Sequence, residues 1–169
     1  VNIEKKSDPT PINQWDNYRI TTLDIPEGLN FADEVVPAQD PEVRERIDRE
    51  FLVNKYWQSN AILLMKRAHM YFPIIEPILA KNGIPDDFKY LAVAESGLLN
   101  AVSPAGATGF WQLMKTTGKE YGLEVNDNVD ERYHVVKSTE AACKYLKKSK
   151  EKFGTWTLAA ASYNAGSAG

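Results

Sequence analysis

The sequence predicts a mainly α-helical fold, and three observations support this prediction. Apolar residues recur at helical spacing in several segments of the chain. Glycine or proline follows these segments at the positions where helices usually end. The segment that alternates as a strand would, residues 18–25, has no obvious partner for a sheet. With 43% hydrophobic and 11% aromatic residues, the chain of 169 residues suits one globular domain with a core.

Two regions are predicted along the chain, an irregular arm followed by a helical domain. The arm, residues 1–40, contains four prolines, and its short apolar groups never settle into a helical period. We expect it to be extended and to pack on the rest of the protein. The domain, residues 41–169, is predicted to contain a first helix from Pro41 and further helices over residues 59–81, 86–95, 112–121, 131–153 and 156–165.

Several residues set expectations for how these helices begin, bend and pack. Asp40 can cap the first helix through its carboxylate. Pro73 and Pro77 lie inside the second helix and should kink or divide it, because proline lacks the backbone N–H that a helix needs. On the helix over residues 131–153, the lysines are expected to face outward and the apolar residues inward, namely Val135, Val136, Ala142, Tyr145 and Leu146.

Charge and hydropathy exclude two classes of protein. Lys and Arg number 20 against 23 Asp and Glu, which gives a net charge of -3 with no block of one sign, so a nucleic-acid binder is not predicted. No apolar stretch approaches the roughly 20 residues of a membrane-spanning helix. The chain begins at Val1 without an initiator Met, and we expect any export signal or lipid anchor to have been removed or left out.

Cysteine and histidine usage predicts neither a disulfide nor a metal site. Cys143 is the only cysteine, so an internal disulfide cannot form. Its apolar neighbours favour a buried, unreactive thiol. His69 and His134 lie far apart in the sequence and in no ligand pattern. We therefore expect no metal and no cofactor.

Glu95 is the first candidate for chemistry. It ends a predicted helix, and the turn before it, residues 91–94, is wholly apolar. Apolar surroundings and the negative end of the helix dipole both disfavour the ionised carboxylate, so we expect the pKa of Glu95 to be raised. A carboxyl group that stays protonated near neutral pH can act as a general acid. The alternative is an ordinary solvated glutamate at a helix end.

Two further blocks contain polar side chains suited to binding. The loop over residues 103–109 is rich in small residues that let a substrate approach the backbone, and Ser103 and Gln112 offer hydrogen bonds. Near the end of the last helix, Tyr163 can reach a partner carboxyl, and Asn164 follows it. The alternatives are an ordinary tight connection for the first block and a core tyrosine for the second.

Three blocks occur together and in order, namely Glu95-Ser96, the run over residues 103–112 and the run over residues 162–166. In this combination the chain resembles the family 1 lytic transglycosylases over about residues 60–169. The resemblance implies a lysozyme-like helical domain of the goose type, acting as a monomer on peptidoglycan glycan strands in the periplasm or at the outer membrane facing it. It also implies a truncated C-terminus, since relatives continue further.

The resemblance implies that Glu95 is the single acid/base. It would first protonate the β-1,4 bond between N-acetylmuramic acid and N-acetylglucosamine, and would then act as a base. No water is added in this family, because the C6 hydroxyl of the muramic acid attacks its own C1 with help from the N-acetyl group. A 1,6-anhydro product is released.

Substrate-binding roles carry over to other positions. The resemblance implies that Ser103 contacts the catalytic carboxyl or the substrate acetamido group. It implies that Gln112 binds substrate and that Tyr163 hydrogen-bonds the catalytic carboxyl. A groove or structural role is implied for Asn164, and a role in helix-end geometry for Ser96.

The chain departs from the family pattern at two places. The usual Gly-Leu-Met-Gln reads Gly-Phe-Trp-Gln over residues 109–112, and the usual Ala-Tyr-Asn reads Ser-Tyr-Asn over residues 162–164. Trp111 replaces a flexible Met, so we expect its ring to shape a substrate subsite. Trp156 and Tyr121 can also line the groove, or can simply belong to the core.

Two alternatives stay open. A goose-type lysozyme-like hydrolase would need a second carboxylate to activate water, roughly 6.5–9.5 Å from Glu95. Asp127, Asp130 and Glu120 are the candidates nearby in the sequence. A non-catalytic peptidoglycan-binding module would have kept the groove and lost activity, and the presence of Glu95 with its polar companions argues against it.

Overall fold

Residues 23–165 are described by the computed structural model, apart from the side chains of Gln58, Ser59 and Ala165. Within this range the chain forms one two-stranded hairpin and six α-helices, which confirms the prediction of a mainly α fold. The elements are β1 (Asn30–Phe31), β2 (Glu34–Val35), α1 (Pro41–Tyr56), α2 (Gln58–Lys81), α3 (Lys89–Ser96), α4 (Lys115–Glu120), α5 (Val135–Phe153) and α6 (Trp156–Ala165). None of the helices within residues 23–165 combines the length and apolarity that crossing a membrane requires.

The arm predicted over residues 1–40 is described only in part. Its first 22 residues lie outside the described range, and with them most of the segment predicted to alternate over residues 18–25. Residues 23–25 are not in a strand. Further along, β1 and β2 pair as an antiparallel hairpin. The boundary between arm and domain at residue 40 stays a prediction.

The first two helices begin close to where the sequence predicts. Asp40 caps α1, because its carboxylate accepts hydrogen bonds from the N–H groups of Glu42 and Val43 at 2.9 and 3.2 Å. α2 continues without a break through Pro73 and Pro77, so these residues do not divide the helix, and the kink expected as the other possibility stays a prediction. Proline cannot donate a hydrogen bond to the carbonyl group four residues earlier in the helix. Both prolines are exposed, so these carbonyl groups lie on the solvent side.

Three other helices begin later than the sequence pattern indicates. The helix predicted over residues 86–95 is a 3-10 turn (Asp86–Phe88) followed by α3, which begins at Lys89. The helix predicted over residues 112–121 begins only at Lys115. The long helix predicted over residues 131–153 is a 3-10 turn (Glu131–Tyr133) followed by α5, whose first turn is capped by the side chain of His134. The residues before α4 and α5 have an extended backbone, with ψ of 152° and 109°, which fixes where these two helices can begin.

α5 forms the centre of the core. It packs against α2 and α6, and eight of its residues are buried. Cys143 is one of them, and burial raises the pKa of its thiol to about 12, as expected of an unreactive cysteine. Val136 is 40% exposed, so its predicted inward orientation is wrong. The inward orientation predicted for Ala142, Tyr145 and Leu146 is confirmed, because all three are buried, and Thr139 is buried beside them.

Candidate active site

Glu95 lies in the last turn of α3, and two contacts fix the end of this helix. Gly97 takes a left-handed conformation with φ of 61° and donates its N–H to the carbonyl of Val93 at 2.8 Å, which closes the helix. The hydroxyl of Ser96 donates to the carbonyl oxygen of Phe110 at 2.8 Å. Ser96 therefore ties the end of α3 to the loop that follows it.

The carboxyl group of Glu95 is half-buried, and burial raises its pKa above the ordinary value for glutamate. Burial is the one cause of this shift, so no charge among the described residues offsets it. The direction expected from the sequence is confirmed. A raised pKa keeps more of the group protonated near neutral pH, which is the state that a general acid requires. Within residues 23–165, no three His, Cys, Asp or Glu side chains are grouped to hold a metal ion.

The loop over residues 103–113 folds back on itself next to the end of α3. Thr108 and Leu113 exchange backbone hydrogen bonds, each at 3.1 Å, so the two ends of the loop's second half are joined. Ser103 closes the first turn, because its hydroxyl oxygen accepts the N–H of Ala107 at 3.0 Å. Ser103 is half-buried. Its contact with the catalytic carboxyl or with a substrate stays a prediction.

Gln112 presents an acceptor oxygen at the end of this loop. Its backbone is left-handed, with φ of 45°. Its side-chain Nε2 donates to the carbonyls of Ala101 at 3.0 Å and Gly109 at 2.9 Å, which uses both amide hydrogens. Oε1 has no hydrogen-bond partner among residues 23–165. The side chain is therefore held in one orientation with an oxygen available to a ligand.

Trp111 is a core residue, and the expectation that its ring shapes a subsite is wrong. Its side chain is fully buried, and the indole N–H donates to the hydroxyl of Thr139 on α5 at 2.8 Å. A large apolar ring with one polar atom is stable in the core when that atom has a partner. Trp156 and Tyr121, the other aromatic groove candidates, each pack on an aromatic neighbour, at centroid distances of 5.4 and 5.6 Å.

Tyr163, on α6, comes close to Glu95 but donates its hydrogen bond elsewhere. Its hydroxyl donates to the backbone carbonyl of Trp111 at 2.7 Å. Burial, and after it the charge of Glu95, holds the pKa of Tyr163 well above its usual range, so the two side chains are near enough to interact. The hydrogen bond between Tyr163 and Glu95 stays a prediction. Asn164 is exposed, and its groove role stays a prediction as well.

An ion pair that the sequence did not predict, Arg132 with Asp130, holds the loop in place. The Arg132 side chain is 9% exposed, and its Nη2 pairs with Asp130 at 2.7 Å. Its Nη1 donates to the carbonyls of Gly106 and Leu113, each at 3.0 Å. The guanidinium holds the pKa of Asp130 below its ordinary value. The sequence signal, an Asp two residues before an Arg, is too common to predict such a role.

The helical fold agrees with the family that comparison identifies. Residues 72–169 match the Transglycosylase SLT domain. The chain belongs to this family, and the lysozyme-like helical fold that the resemblance implied is confirmed.

Individual relatives lead to the same family. The chain is 35% identical over 133 residues to Membrane-bound lytic murein transglycosylase D from two strains of Escherichia coli, which covers 78% of this chain and 28% of the relative. A likeness to this protein, expected from Trp111 and the proline-containing arm of residues 1–40, is confirmed. The chain is also 28% identical over 118 residues to a Putative tributyltin chloride resistance protein from an Alteromonas species. That alignment covers 69% of this chain and 55% of the relative, so the chain spans only part of the curated relatives it matches.

Proposed function

We propose that this chain is the catalytic part of a peptidoglycan lytic transglycosylase, with Glu95 as its single acid/base. The observation that carries the proposal is the half-buried carboxyl group of Glu95, whose pKa is raised by burial, at the end of a helix in an SLT domain. The name of the Escherichia coli relatives, which describes a lytic murein transglycosylase, supports the same activity.

The proposed reaction needs one group that gives a proton and then takes one back. Protonated Glu95 donates to the glycosidic oxygen between N-acetylmuramic acid and N-acetylglucosamine, and the bond from that oxygen to C1 of the muramic acid breaks. The N-acetylglucosamine leaves as an alcohol. The C6 hydroxyl of the muramic acid then bonds to C1, assisted by the N-acetyl group, and its proton passes to the Glu95 carboxylate. The acid is restored, and no water enters the product.

Four other side chains are proposed to bind the substrate or to assist Glu95. Oε1 of Gln112, without a partner among residues 23–165, would accept a hydrogen bond from the sugar. The hydroxyl oxygen of Tyr163, whose own proton is engaged, would accept one from protonated Glu95 and so favour the acid form. Half-buried Ser103 and exposed Asn164 are proposed to lie along the groove.

A lysozyme-like hydrolase would instead need a second carboxylate that is free to act as a base. Of the three candidates, Asp130 is paired with Arg132 at 2.7 Å and Glu120 with Lys148 at 2.9 Å. The guanidinium lowers the pKa of Asp130, which makes this carboxylate a weaker base. Asp127 is exposed. These observations favour the mechanism with one acid/base.

The proposed place of action follows from the substrate. Peptidoglycan lies outside the cytoplasmic membrane, and the name of the Escherichia coli relatives describes a membrane-bound protein. We infer that the chain acts in the periplasm or at the outer membrane facing it. A monomer is the proposed acting unit.

The test of this function is mass spectrometry of the muropeptides released from purified peptidoglycan. We expect 1,6-anhydro products from the wild-type chain. Glu95→Gln should lower the rate by about 10³-fold or more, because an amide cannot donate and recover the proton. Glu151→Gln, at an exposed position of α5, is the matched control and should release the same products as the wild type.

Each other outcome contradicts a different part of the proposal. Products with a reducing end, heavier by one water, would mean that the chain is a hydrolase. Binding to peptidoglycan without any product would mean that it is a binding module. Full activity in Glu95→Gln would remove Glu95 from the chemistry.

A further inference from the structure

The β1–β2 hairpin contacts the segment that leads into α3. The N–H of Ala32 donates to Oδ2 of Asp87 at 2.7 Å, across 55 residues of chain. The ring of Phe31 lies 5.2 Å from the ring of Phe88, centroid to centroid. Asp87 and Phe88 belong to the 3-10 turn that ends where α3 begins. The hairpin therefore holds the beginning of the helix that contains Glu95.

The same hairpin caps α6 through the carboxylate of Glu34. Oε1 accepts the N–H of Trp156 at 2.6 Å, and Oε2 accepts the N–H and the hydroxyl of Thr157 at 2.8 and 2.5 Å. These bonds lower the pKa of Glu34. A carboxylate is favoured at the positive end of a helix, and here it comes from a residue more than 120 positions earlier in the chain. Glu34 thus holds the beginning of the helix that contains Tyr163.

The turn of the hairpin has a backbone that needs support. Ala32 and Asp33 are both left-handed, with φ of 53° and 62°, a conformation that residues with a Cβ seldom adopt. Such backbones persist only where surrounding contacts hold them. Ala32 is 5% exposed, so the turn is packed against the body of the protein. The hairpin is accordingly fixed in place by its contacts with both helices.

The two helices have their main contacts with different neighbours. α3 packs on α2, whereas α6 packs on α5. Their beginnings meet through Phe88 and Trp156, whose ring centroids are 5.4 Å apart, with the hairpin joined to both segments. Glu95 and Tyr163 each lie about 10 Å further along their helices, at the usual rise of an α-helix. A shift at the beginning of either helix would change the distance between them.

We propose that the β1–β2 hairpin fixes the separation of Glu95 and Tyr163 by holding the beginnings of α3 and α6 together, and that Glu34 is a positioning residue for this pair. The hairpin precedes residues 72–169, the part matched by the SLT family. The catalytic consequence of this arrangement rests on the proposed function, whereas its geometric consequence does not.

The test compares two variants that each remove a helix cap from the full chain. Glu34→Ala removes the cap of α6, and Asp40→Ala removes the equivalent carboxylate cap of α1, which contains none of the candidate site residues. The titration of the Glu95 carboxyl carbon, followed by NMR, reports its surroundings without requiring activity. We expect Glu34→Ala to move the pKa of Glu95 toward its ordinary value, because a displaced α6 admits water. Asp40→Ala should leave that titration unchanged.

The kinetics of anhydro-muropeptide release provide a second measurement on the same variants. We expect kcat for anhydro-muropeptide release to fall by about 10- to 100-fold in Glu34→Ala with little change in KM, since small displacements of reacting groups reduce rate more than binding. Glu34→Gln retains one acceptor oxygen and should give intermediate effects. It also serves for the same comparison if Glu34→Ala does not fold.

The outcomes separate this inference from the proposed function. If the titration of Glu95 in the Glu34 variants matches the wild type, the hairpin does not position the site, even where the variants are less stable. If the titration moves but the wild-type chain releases no anhydro product, the proposed function fails and the positioning role stands. If both the titration and kcat change, and neither changes in Asp40→Ala, both are supported.

Discussion

The chemical role proposed for Glu95 comes with a cost to folding. Its carboxyl group is half-buried, and burial raises its pKa because the ionised form is less well solvated there than in water. The folded protein therefore binds this proton more tightly than the unfolded chain does. Stability then depends on pH with a sign opposite to that of a carboxylate in an ion pair.

Glu95→Gln is expected to stabilise the protein at neutral pH relative to acidic pH. Because the folded pKa lies above the unfolded value, the stabilisation from the protonated group is fully present below the unfolded pKa and is lost as pH rises through the folded pKa. Gln stays neutral throughout. The free energy of unfolding of Glu95→Gln, relative to that of the wild type, should therefore increase as pH rises from the unfolded pKa to the folded pKa of Glu95. Urea unfolding between about pH 4 and pH 8 measures this difference.

Glu140→Gln is the matched control with the opposite sign. Lys81 and Asn82 hold the pKa of Glu140 below its ordinary value through hydrogen bonds to its carboxylate. Its stabilisation is present above the unfolded pKa and is lost as pH falls through the folded pKa. Relative to the wild type, the Glu95 variant should gain stability as pH rises and the Glu140 variant should lose it. A pH curve for Glu95→Gln that runs parallel to that of the wild type would mean that Glu95 is solvated in the folded protein.

At the scale of elements, the loop over residues 103–113 depends on one close approach between backbones. Gly109 has φ of 82°, and a Cβ at this position would lie 2.1 Å from the carbonyl oxygen of Arg132. Gly106, in the same loop, has φ of 85° and open space where a Cβ would lie. Substitutions at the two glycines therefore distinguish two effects of an added Cβ, namely the strain of a left-handed backbone and the close contact with Arg132.

Gly109→Ala should destabilise the protein by more than about 4 kcal/mol or prevent folding, because the loop or the Arg132 backbone would have to move. Gly106→Ala should cost about 1–2 kcal/mol, the strain of a left-handed residue with a Cβ. Urea unfolding gives both free energies. Equal losses of stability in the two variants would mean that the Arg132 backbone moves away from the added Cβ at no cost in free energy, although Arg132 is paired with Asp130.

Local features of this fold could be predicted from the sequence, and long-range ones could not. The raised pKa of Glu95 could be predicted because the apolar turn before it is adjacent in the chain. The burial of Trp111 could not be predicted, because its partner Thr139 lies 28 residues away. The same holds for Arg132, which reaches back 26 residues to the carbonyl of Gly106. The helices could be predicted for the same reason as the raised pKa of Glu95, since their apolar periodicity depends on residues that are close together in the sequence.

Across the whole molecule, burial is unevenly distributed. α5 has eight buried residues, whereas α1 has none. Exposed apolar side chains continue from α1 into the first half of α2. Trp57, between the two helices, is 58% exposed, and Ile62 and Met65 on α2 are 53% and 63% exposed. The second half of α2 differs, with Ile75 and Leu79 fully buried. The core therefore supports the helices around the site and leaves α1 with little stabilisation from packing.

Hydrogen exchange should follow this gradient. A helix of 16 residues without buried contacts is marginally stable in water, so the amides of α1 should exchange through local opening, well before global unfolding. The amides of α5 should exchange only when the whole domain unfolds. Asp40→Ala removes a cap that contributes about 1 kcal/mol and should speed exchange in α1 roughly fivefold, with no change in α5.

Equal protection of α1 and α5 would contradict this prediction. It would mean that a contact outside the described residues covers the apolar side of α1, since nothing within residues 23–165 buries any residue of that helix. Repeating the exchange at several protein concentrations identifies the source of the protection. Protection that rises with concentration would come from a second copy of the chain, and constant protection from another part of the same chain.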